Sequence, residues 1–232
     1  PSPAKLAAVP DEKLMKLWEG LGYYSRVWNL QKAAKAIMEE FGGEFPGTYE
    51  AVRALPGVGD YTAGAICSIC FDLPTPAVDG NVLRVLSRVM EDGAPVTNQK
   101  TKTAYREALL PLYEAGSRGT LTQALMELGA MVCVPNGAPK CESCPLQELC
   151  LANAYGTWEK YPVKEAKKAK REEEKTVFYL TCDGCLAVRK RESRGLLAGL
   201  WELPNVEGLL SAQEALTQAA RWDAHPRELV RA

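Results

Sequence analysis

Four cysteines, Cys133, Cys141, Cys144 and Cys150, fall within 18 residues, separated by seven, two and five residues. Thiolates in such a run are the ligands of iron–sulfur clusters and of tetrahedral zinc. Zinc modules favour two separated CxxC knuckles. Here a single CxxC stands between spread outer cysteines, which suits a cubane better, and Pro145 helps turn the chain around it. A second chemical signal lies upstream. Leu55-Pro56-Gly57-Val58-Gly59 is too tight and glycine-rich to be helix, and an apolar helix is expected from Tyr61 to about Phe71. Exposed N–H groups in the turn, backed by the positive end of that helix, would form an anion nest able to grip a phosphate without any lysine. A loop marked by Pro74 and Pro76 then delivers Asp79 to the entrance of another helix. Asp is a favoured N-cap, so Asp79 can be a cap, a catalytic carboxylate or both, since capping would fix the carboxylate's orientation.

The elements that must position these groups are mostly helical. Leu14, Leu17, Trp18 and Leu21 fall at helical spacing, as do Leu30, Ala33, Ala34, Ile37 and Phe41. Between them Gly20-Leu21-Gly22-Tyr23-Tyr24-Ser25-Arg26 forms a turn. It is either a helix corner whose tyrosines cap the core or a DNA-facing loop, with a tyrosine wedge and Arg26 on a phosphate. Thr48 is the expected N-cap of a short helix from Tyr49 to Leu55. Cys67 and Cys70 on the next helix are assigned to the core. After Asp79, Val82, Val85, Leu86 and Val89 form an inward stripe, with Arg84 and Arg88 toward the other side. Residues 101–132 give two further helices, with Leu121, Leu125 and Leu128 inward.

The run YPVKEAKKAKREEEK, residues 161–175, reads as a solvated linker. Beyond it the pattern turns to strands at 176–180 and 185–189 around Asp183-Gly184, then a helix from about Ser211. Cys182 and Cys185 flank that turn and are read as structural. Net charge is −1, so any nucleic-acid contact must be local rather than a product of overall charge. No apolar run approaches the roughly 18–20 residues of a membrane span, and no signal peptide is visible. The single histidine, His225, argues against histidine triads and multi-histidine metal sites.

Taken in order, GLGYYSR (20–26), LPGVGDYTAGAI (55–66), VDGNVLRVLSR (78–88), ALMELGAMVC (124–133), the cysteine run and GLLAGLWELP (195–204) resemble the MutY-type adenine DNA glycosylases of the endonuclease III superfamily. The resemblance implies a mainly α helix-hairpin-helix glycosylase domain over 1–155, with a [4Fe-4S] loop at 133–150. It implies a charged linker at 156–175 and a partial α+β MutT/Nudix-like domain at 176–232 that reads 8-oxoguanine. By the same resemblance Gly57, Val58 and Gly59 grip a DNA phosphate, and Tyr23 and Tyr24, with Arg26, lie in the loop that probes the duplex. Asp79 is the catalytic aspartate, supported by Tyr61 and Asn81, and Cys133, Cys141, Cys144 and Cys150 hold the cluster. The implied reaction is removal of adenine mispaired with 8-oxoguanine or guanine, after base flipping. The implied protein is a bacterial, cytoplasmic, DNA-associated monomer without membrane contact. Tyr61 stands where lyase-competent relatives carry a Schiff-base lysine, which implies a monofunctional enzyme.

Three departures accompany the resemblance. The family's general-acid glutamate lies upstream of Pro1, so the chain reads as a fragment, and these 232 residues alone are expected to be inactive. If Pro1 were the natural start, a non-catalytic iron–sulfur DNA-binding protein would be the alternative. Trp28 stands where relatives usually carry arginine. In the C-terminal segment Gly208 and Glu214 open a Nudix spacing, but Trp222-Asp223 replaces its Arg-Glu pair, which implies recognition rather than nucleotide hydrolysis. The cysteine run yields a direct test. Anaerobically purified protein is expected to be coloured, with a broad absorbance near about 400 nm from an iron–sulfur cluster. A colourless protein carrying stoichiometric zinc would exclude the cubane.

Overall fold

A computed structural model describes residues 2–166, 169, 172–192, 195 and 197–225. Lys167, Lys168, Lys170 and Arg171 of the charged run, Leu196 of the GLLAGLWELP block and residues 226–232 of the expected second domain lie outside the described residues. The chain divides into two compact units, 1–166 and 167–232.

The first unit is built from nine α-helices among the described residues: α1 (Pro3–Ala7), α2 (Asp11–Leu17), α3 (Ser25–Glu40), α4 (Tyr49–Ala54), α5 (Asp60–Phe71), α6 (Gly80–Val89), α7 (Gln99–Ala115), α8 (Arg118–Glu127) and α9 (Leu151–Ala154). Local chemistry sets several of their starts. The Thr48 hydroxyl accepts from the Ala51 N–H at 3.3 Å, as its type and place predict. Asn98 does the same for α7, accepting from the Lys100 N–H at 2.9 Å. Beyond α8 the chain runs on as a short π-helical turn, Leu128–Val132, directly into Cys133.

Packing produces several small apolar clusters. Val82, Leu109, Tyr113 and Leu125 join α6, α7 and α8. Ala33, Ile37 and Leu55 join α3 to the end of α4, while Val52, Ala63 and Cys67 join α4 to α5. Val58, between the two glycines of the turn, packs against both of these last clusters and anchors it. Backbones approach closely where α5 meets the following loop. A Cβ on Gly64 would stand 2.5 Å from the Pro76 carbonyl oxygen.

The structure departs from the sequence reading at four places here. Cys67 is buried but Cys70 is exposed. Ala63, Gly64, Cys67 and Ser68 form the packed stripe of α5, and Cys70 falls at its edge in the last turn. Leu17 (69% exposed), Leu21 and Leu30 stay at the surface despite their helical spacing. Arg84 and Arg88, expected outside, are both buried. The start of the charged run is tied to the first unit through its backbone, although Lys164 and Glu165 are exposed. Val163 accepts from the Val96 N–H at 2.9 Å, and the Glu165 N–H donates to Thr97 at 3.3 Å.

The second unit holds three two-stranded antiparallel ladders: β1 (Lys175–Val177) with β6 (Asn205–Glu207), β2 (Thr181–Cys182) with β3 (Cys185–Leu186), and β4 (Arg189–Lys190) with β5 (Trp201–Glu202). The expected strands 176–180 and 185–189 are therefore each broken. The first pairs with β6 only at its start, and the second divides between β3 and β4. The helix α10 (Ala212–Arg221) is capped by a reciprocal box, Ser211 with Glu214. Trp222 packs edge-on against Phe178 at 4.9 Å between ring centroids.

The Gly64 contact gives a stability test. Gly64→Ala is expected to destabilise the first unit by about 1–3 kcal/mol through overpacking, despite alanine's better helix propensity. Gly93→Ala, where a Cβ meets nothing within 4 Å, serves as the control. Equal denaturant midpoints for the two variants would contradict the close approach.

Candidate active site and cysteine centre

Asp79 sits at the N-cap of α6 with both carboxylate oxygens engaged. Oδ1 accepts from the backbone N–H groups of Asn81 and Val82, each at 2.9 Å, and Oδ2 accepts from the Asn81 side-chain amide at 2.9 Å. All three donors are N–H groups, so the carboxylate is held at a fixed angle by the helix it caps. Asn81 is held in turn, since its Oδ1 accepts from Arg84 Nη2 at 2.8 Å.

The Arg84 guanidinium reaches further. Nη2 also donates to the Gly129 carbonyl at 2.6 Å, and Nε donates to the Cys133 carbonyl at 2.7 Å. Burial pushes the Arg84 guanidinium below its ordinary value, an effect countered chiefly by Cys133. Carbonyl acceptors make such burial tolerable. Gly129 is required at this junction because a Cβ there would lie 2.5 Å from Asn81 Cβ. One turn on, Arg88 Nη1 lies 3.3 Å from Cys133 Sγ and 3.1 Å from the Val134 carbonyl. Its Nε donates to the Trp158 and Tyr161 carbonyls. The face of α6 read as solvent-facing is thus covered by the cysteine loop. Sequence reading gave neither arginine a role, although Arg84 lies one helical turn beyond Asn81, a spacing that puts the two on one face.

All four cysteines of the run line one cavity, together with Val85, Val89, Leu128 and Leu146, and Arg88 stands at its wall. Burial and the neighbouring thiols of Cys150, Cys133 and Cys144 push the Cys141 thiol up. Four thiolates crowded in one apolar cavity need a cationic group among them. Among the described residues, no group of three or more His, Cys, Asp or Glu side chains is gathered so as to hold a metal ion. The four cysteines share the lining of one cavity, and their donor chemistry fits a thiolate-ligated cluster.

Asp79 opens onto a cleft of about 590 Å³ whose lining includes Tyr61, Asp60 and Gly59 from the start of α5. Burial and the nearby Asp79 charge push the Tyr61 hydroxyl up, and that hydroxyl lies 4.0 Å from Met126 Sδ. The opposite wall is the α7 face of Gln99, Lys102, Thr103 and Arg106. Sequence reading missed it, though the spacing of these four residues marks one helix face. Asp60, the second carboxylate of the cleft, is hydrogen-bonded by Arg53 and by the Tyr49 hydroxyl. The Arg53 hydrogen bond is the main reason its carboxyl is held below the usual range.

The glycine turn abuts the cleft. Gly57 has φ +78°, and a Cβ there would collide with Asn29 of α3 at 2.4 Å, so both conformation and packing demand glycine. The Val58 N–H donates to the Leu55 carbonyl at 3.0 Å and is spent inside the turn. Of the three expected clamp residues, Gly57 and Gly59 are the ones with exposed backbone. Gly59 is the N-cap of α5 and supplies no side-chain acceptor, which leaves the first-turn N–H groups open to an external anion. In the loop before α3, Tyr23 has φ +47° and is 80% exposed, while Tyr24 is half-buried. The Arg26 guanidinium carbon stands 5.6 Å from the Trp18 ring centroid and 5.4 Å from that of Tyr23. The Trp18 indole N–H closes the loop on the Gly22 carbonyl at 2.9 Å.

Comparison with known proteins agrees with the helical fold. Residues 1–111 match the family model described as HhH-GPD superfamily base excision DNA repair protein. The chain is 35% identical to the adenine DNA glycosylase of Rattus norvegicus over 272 residues, covering 97% of this chain and 52% of that protein. It is 35% identical over 208 residues to the adenine DNA glycosylase of Buchnera aphidicola subsp. Schizaphis graminum, covering 88% and 59%. The chain thus spans about half the length of the curated relatives it matches. A solved endonuclease III–DNA complex superposes with TM-score 0.57 at 27% identity, covering 67% of this chain and 71% of that one. A thermostable thymine-DNA glycosylase superposes with TM-score 0.55 at 26% identity, covering 66% and 70%. On the family match, the identity to adenine DNA glycosylases over most of this chain and the likeness of fold, the chain belongs to the HhH-GPD superfamily of base excision DNA repair proteins, as a member of its MutY type.

Proposed function

We propose that the protein of which these residues form part is a monofunctional adenine DNA glycosylase acting on duplex DNA with adenine opposite 8-oxoguanine or guanine. The carrying observation is Asp79, fixed by three N–H donors at the edge of a cleft beside an open anion-binding turn. Gly57 and Gly59, with the first turn of α5, take a backbone phosphate. The target adenosine swings out of the stack into the cleft, as any enzyme working on a base within a duplex requires. Protonation of the departing adenine weakens its bond to C1′, and positive charge grows on the sugar. The Asp79 carboxylate stabilises that oxocarbenium-like centre until water adds. Asn81 orients the carboxylate, and Tyr61 lines the pocket beside it. Tyr61 has no amine, so a Schiff-base route is closed at this position.

The proton must come from another acid. Asp60 is unsuited because Arg53 keeps it in its charged form. An upstream glutamate, as the family resemblance implies, fills that role.

The four cysteines are read as ligands of a [4Fe-4S] cluster, supported by their shared cavity and by Arg88 at its wall. Such a cluster would supply a positive, rigid centre that organises the loop. We read residues 176–232 as part of a MutT-like module for 8-oxoguanine. Glu214, at the opening Nudix spacing, is committed to its helix cap, and Trp222 to packing on Phe178, so neither supports metal-dependent hydrolysis.

In a chain extended upstream to include the general acid, Asp79→Asn is expected to lower single-turnover adenine release from A:8-oxoguanine duplex by about 10²–10³-fold. Undiminished release would reduce Asp79 to a cap, whereas no release from the unsubstituted extended chain would favour the non-catalytic DNA-binding alternative. Tyr23 is the side chain that enters the duplex, and Arg26, lodged between Trp18 and Tyr23, holds it in place. Arg26→Gln should therefore weaken duplex binding while leaving the slope of log K against log salt unchanged. A slope reduced by about 1 would make Arg26 a phosphate contact instead.

A further inference from the structure

Among the eight cysteines, four lie outside the site described above, and two of those are paired across a hairpin. Cys182 and Cys185 face each other as register partners across the β2–β3 hairpin, and both are exposed. The connecting residues Asp183 (φ +49°) and Gly184 (φ +75°) both take the left-handed region, as a type I′ turn requires. The Ala187 N–H donates to the Leu180 carbonyl at 2.9 Å, which sets the phase of the ladder. Counting from that hydrogen-bonded pair, Thr181 and Leu186 are a non-hydrogen-bonded pair, and Cys182 and Cys185 are again a hydrogen-bonded one. Opposed Cα atoms in such a pair lie about 5.5 Å apart. That separation falls inside the window of roughly 4.4–6.8 Å spanned by disulfides. Directly opposed residues also project from the same face of a ladder, so the two thiols are presented side by side. The contact found for either sulfur is Cys182 Sγ to Asp183 Oδ2 at 3.8 Å.

The geometry points to a redox-active dithiol at the hairpin tip that closes reversibly to a Cys182–Cys185 disulfide when a hydroperoxide is present. One thiolate attacks the peroxide O–O bond, giving a sulfenic acid, and the leaving oxygen departs as water with hydrogen peroxide or as an alcohol with an organic hydroperoxide. The second sulfur then attacks the sulfenic sulfur. The S–S bond forms, the S–O bond breaks, and the oxygen leaves as water with the second thiol's proton. The two sulfurs lose two electrons, and the peroxide gains them. A dithiol reductant reverses the step by thiol–disulfide exchange. Cys70 offers an internal comparison. It is exposed on α5, and the cysteine nearest to it in sequence, Cys67, is fully buried. The inference stands apart from the reading of Asp79 and the cleft.

The test uses the full 232-residue chain, treated with hydrogen peroxide until Cys70 is measurably oxidised, then alkylated and digested with trypsin. Peptide 176–189 contains Cys182 and Cys185 and no other cysteine. It should appear unalkylated and lighter by two hydrogens, and should return to the doubly alkylated form after dithiothreitol. With Cys185→Ser, the same treatment should leave Cys182 carrying oxygen or joined to an external thiol. The substitution is at an exposed hairpin tip, so the fold is expected to persist. A doubly alkylated peptide at that dose, or one that gains oxygen at each sulfur without losing two hydrogens, would overturn the proposal.

Discussion

The structure of the first unit depends on how α6 satisfies its two ends and its second face. At its entrance the Asp79 carboxylate takes three N–H donors. One turn later, Arg84 binds the amide of Asn81 and the carbonyls of Gly129 and Cys133. A buried guanidinium left without acceptors would cost several kcal/mol, so the chain that carries those carbonyls must lie against α6. The π-helical turn at Leu128–Val132 delivers them, and Gly129 lets the two backbones meet. The carboxylate at the cleft and the cysteine cavity are consequently two ends of one hydrogen-bonded network.

This arrangement gives the cysteine loop a positional role. Its cavity need not take part in bond breaking to matter to Asp79, because displacement of the Cys133 carbonyl would release Arg84, then Asn81, and then the orientation of Oδ2. Arg88 ties the same loop to the Trp158 and Tyr161 carbonyls, which explains why the chain just after the cysteines packs on the first unit. The glycine turn is held independently, by Val58 packed between two apolar clusters and by the fit of Gly57 over Asn29. The glycine turn and the carboxylate-bearing helix are thereby fixed by separate contacts and brought together at the cleft.

The second unit shows a different balance. Among its described residues, Phe178 and Ala219 are the ones counted as buried hydrophobics. Its ladders are two or three residues long, and a fold with so little apolar burial leans on turns, caps and ion pairs such as Arg189 and Arg191 with Glu202. Trp222 serves there as a packing residue against Phe178.

Much was legible in the residues themselves, because the signals were local. Thr48 and Asp79 announce helix entrances through their side-chain oxygens, Gly57 marks a left-handed turn, and the cysteine spacing marks four residues that line one cavity. Each needs only its near neighbours to act. What the sequence could not decide was which surfaces another segment would cover. Arg84 and Arg88 read as solvent-facing because charge alone predicts exposure, and only the arrival of the cysteine loop, some 45 residues downstream, supplies the carbonyls that bury them. Cys70 and Leu17 erred in the opposite direction, apolar by type but left at the edge of a packed stripe. Helical period and residue type fix what a position can tolerate. Long-range packing alone determines which tolerance is used, because the energy of burial resides in contacts between segments far apart in the chain.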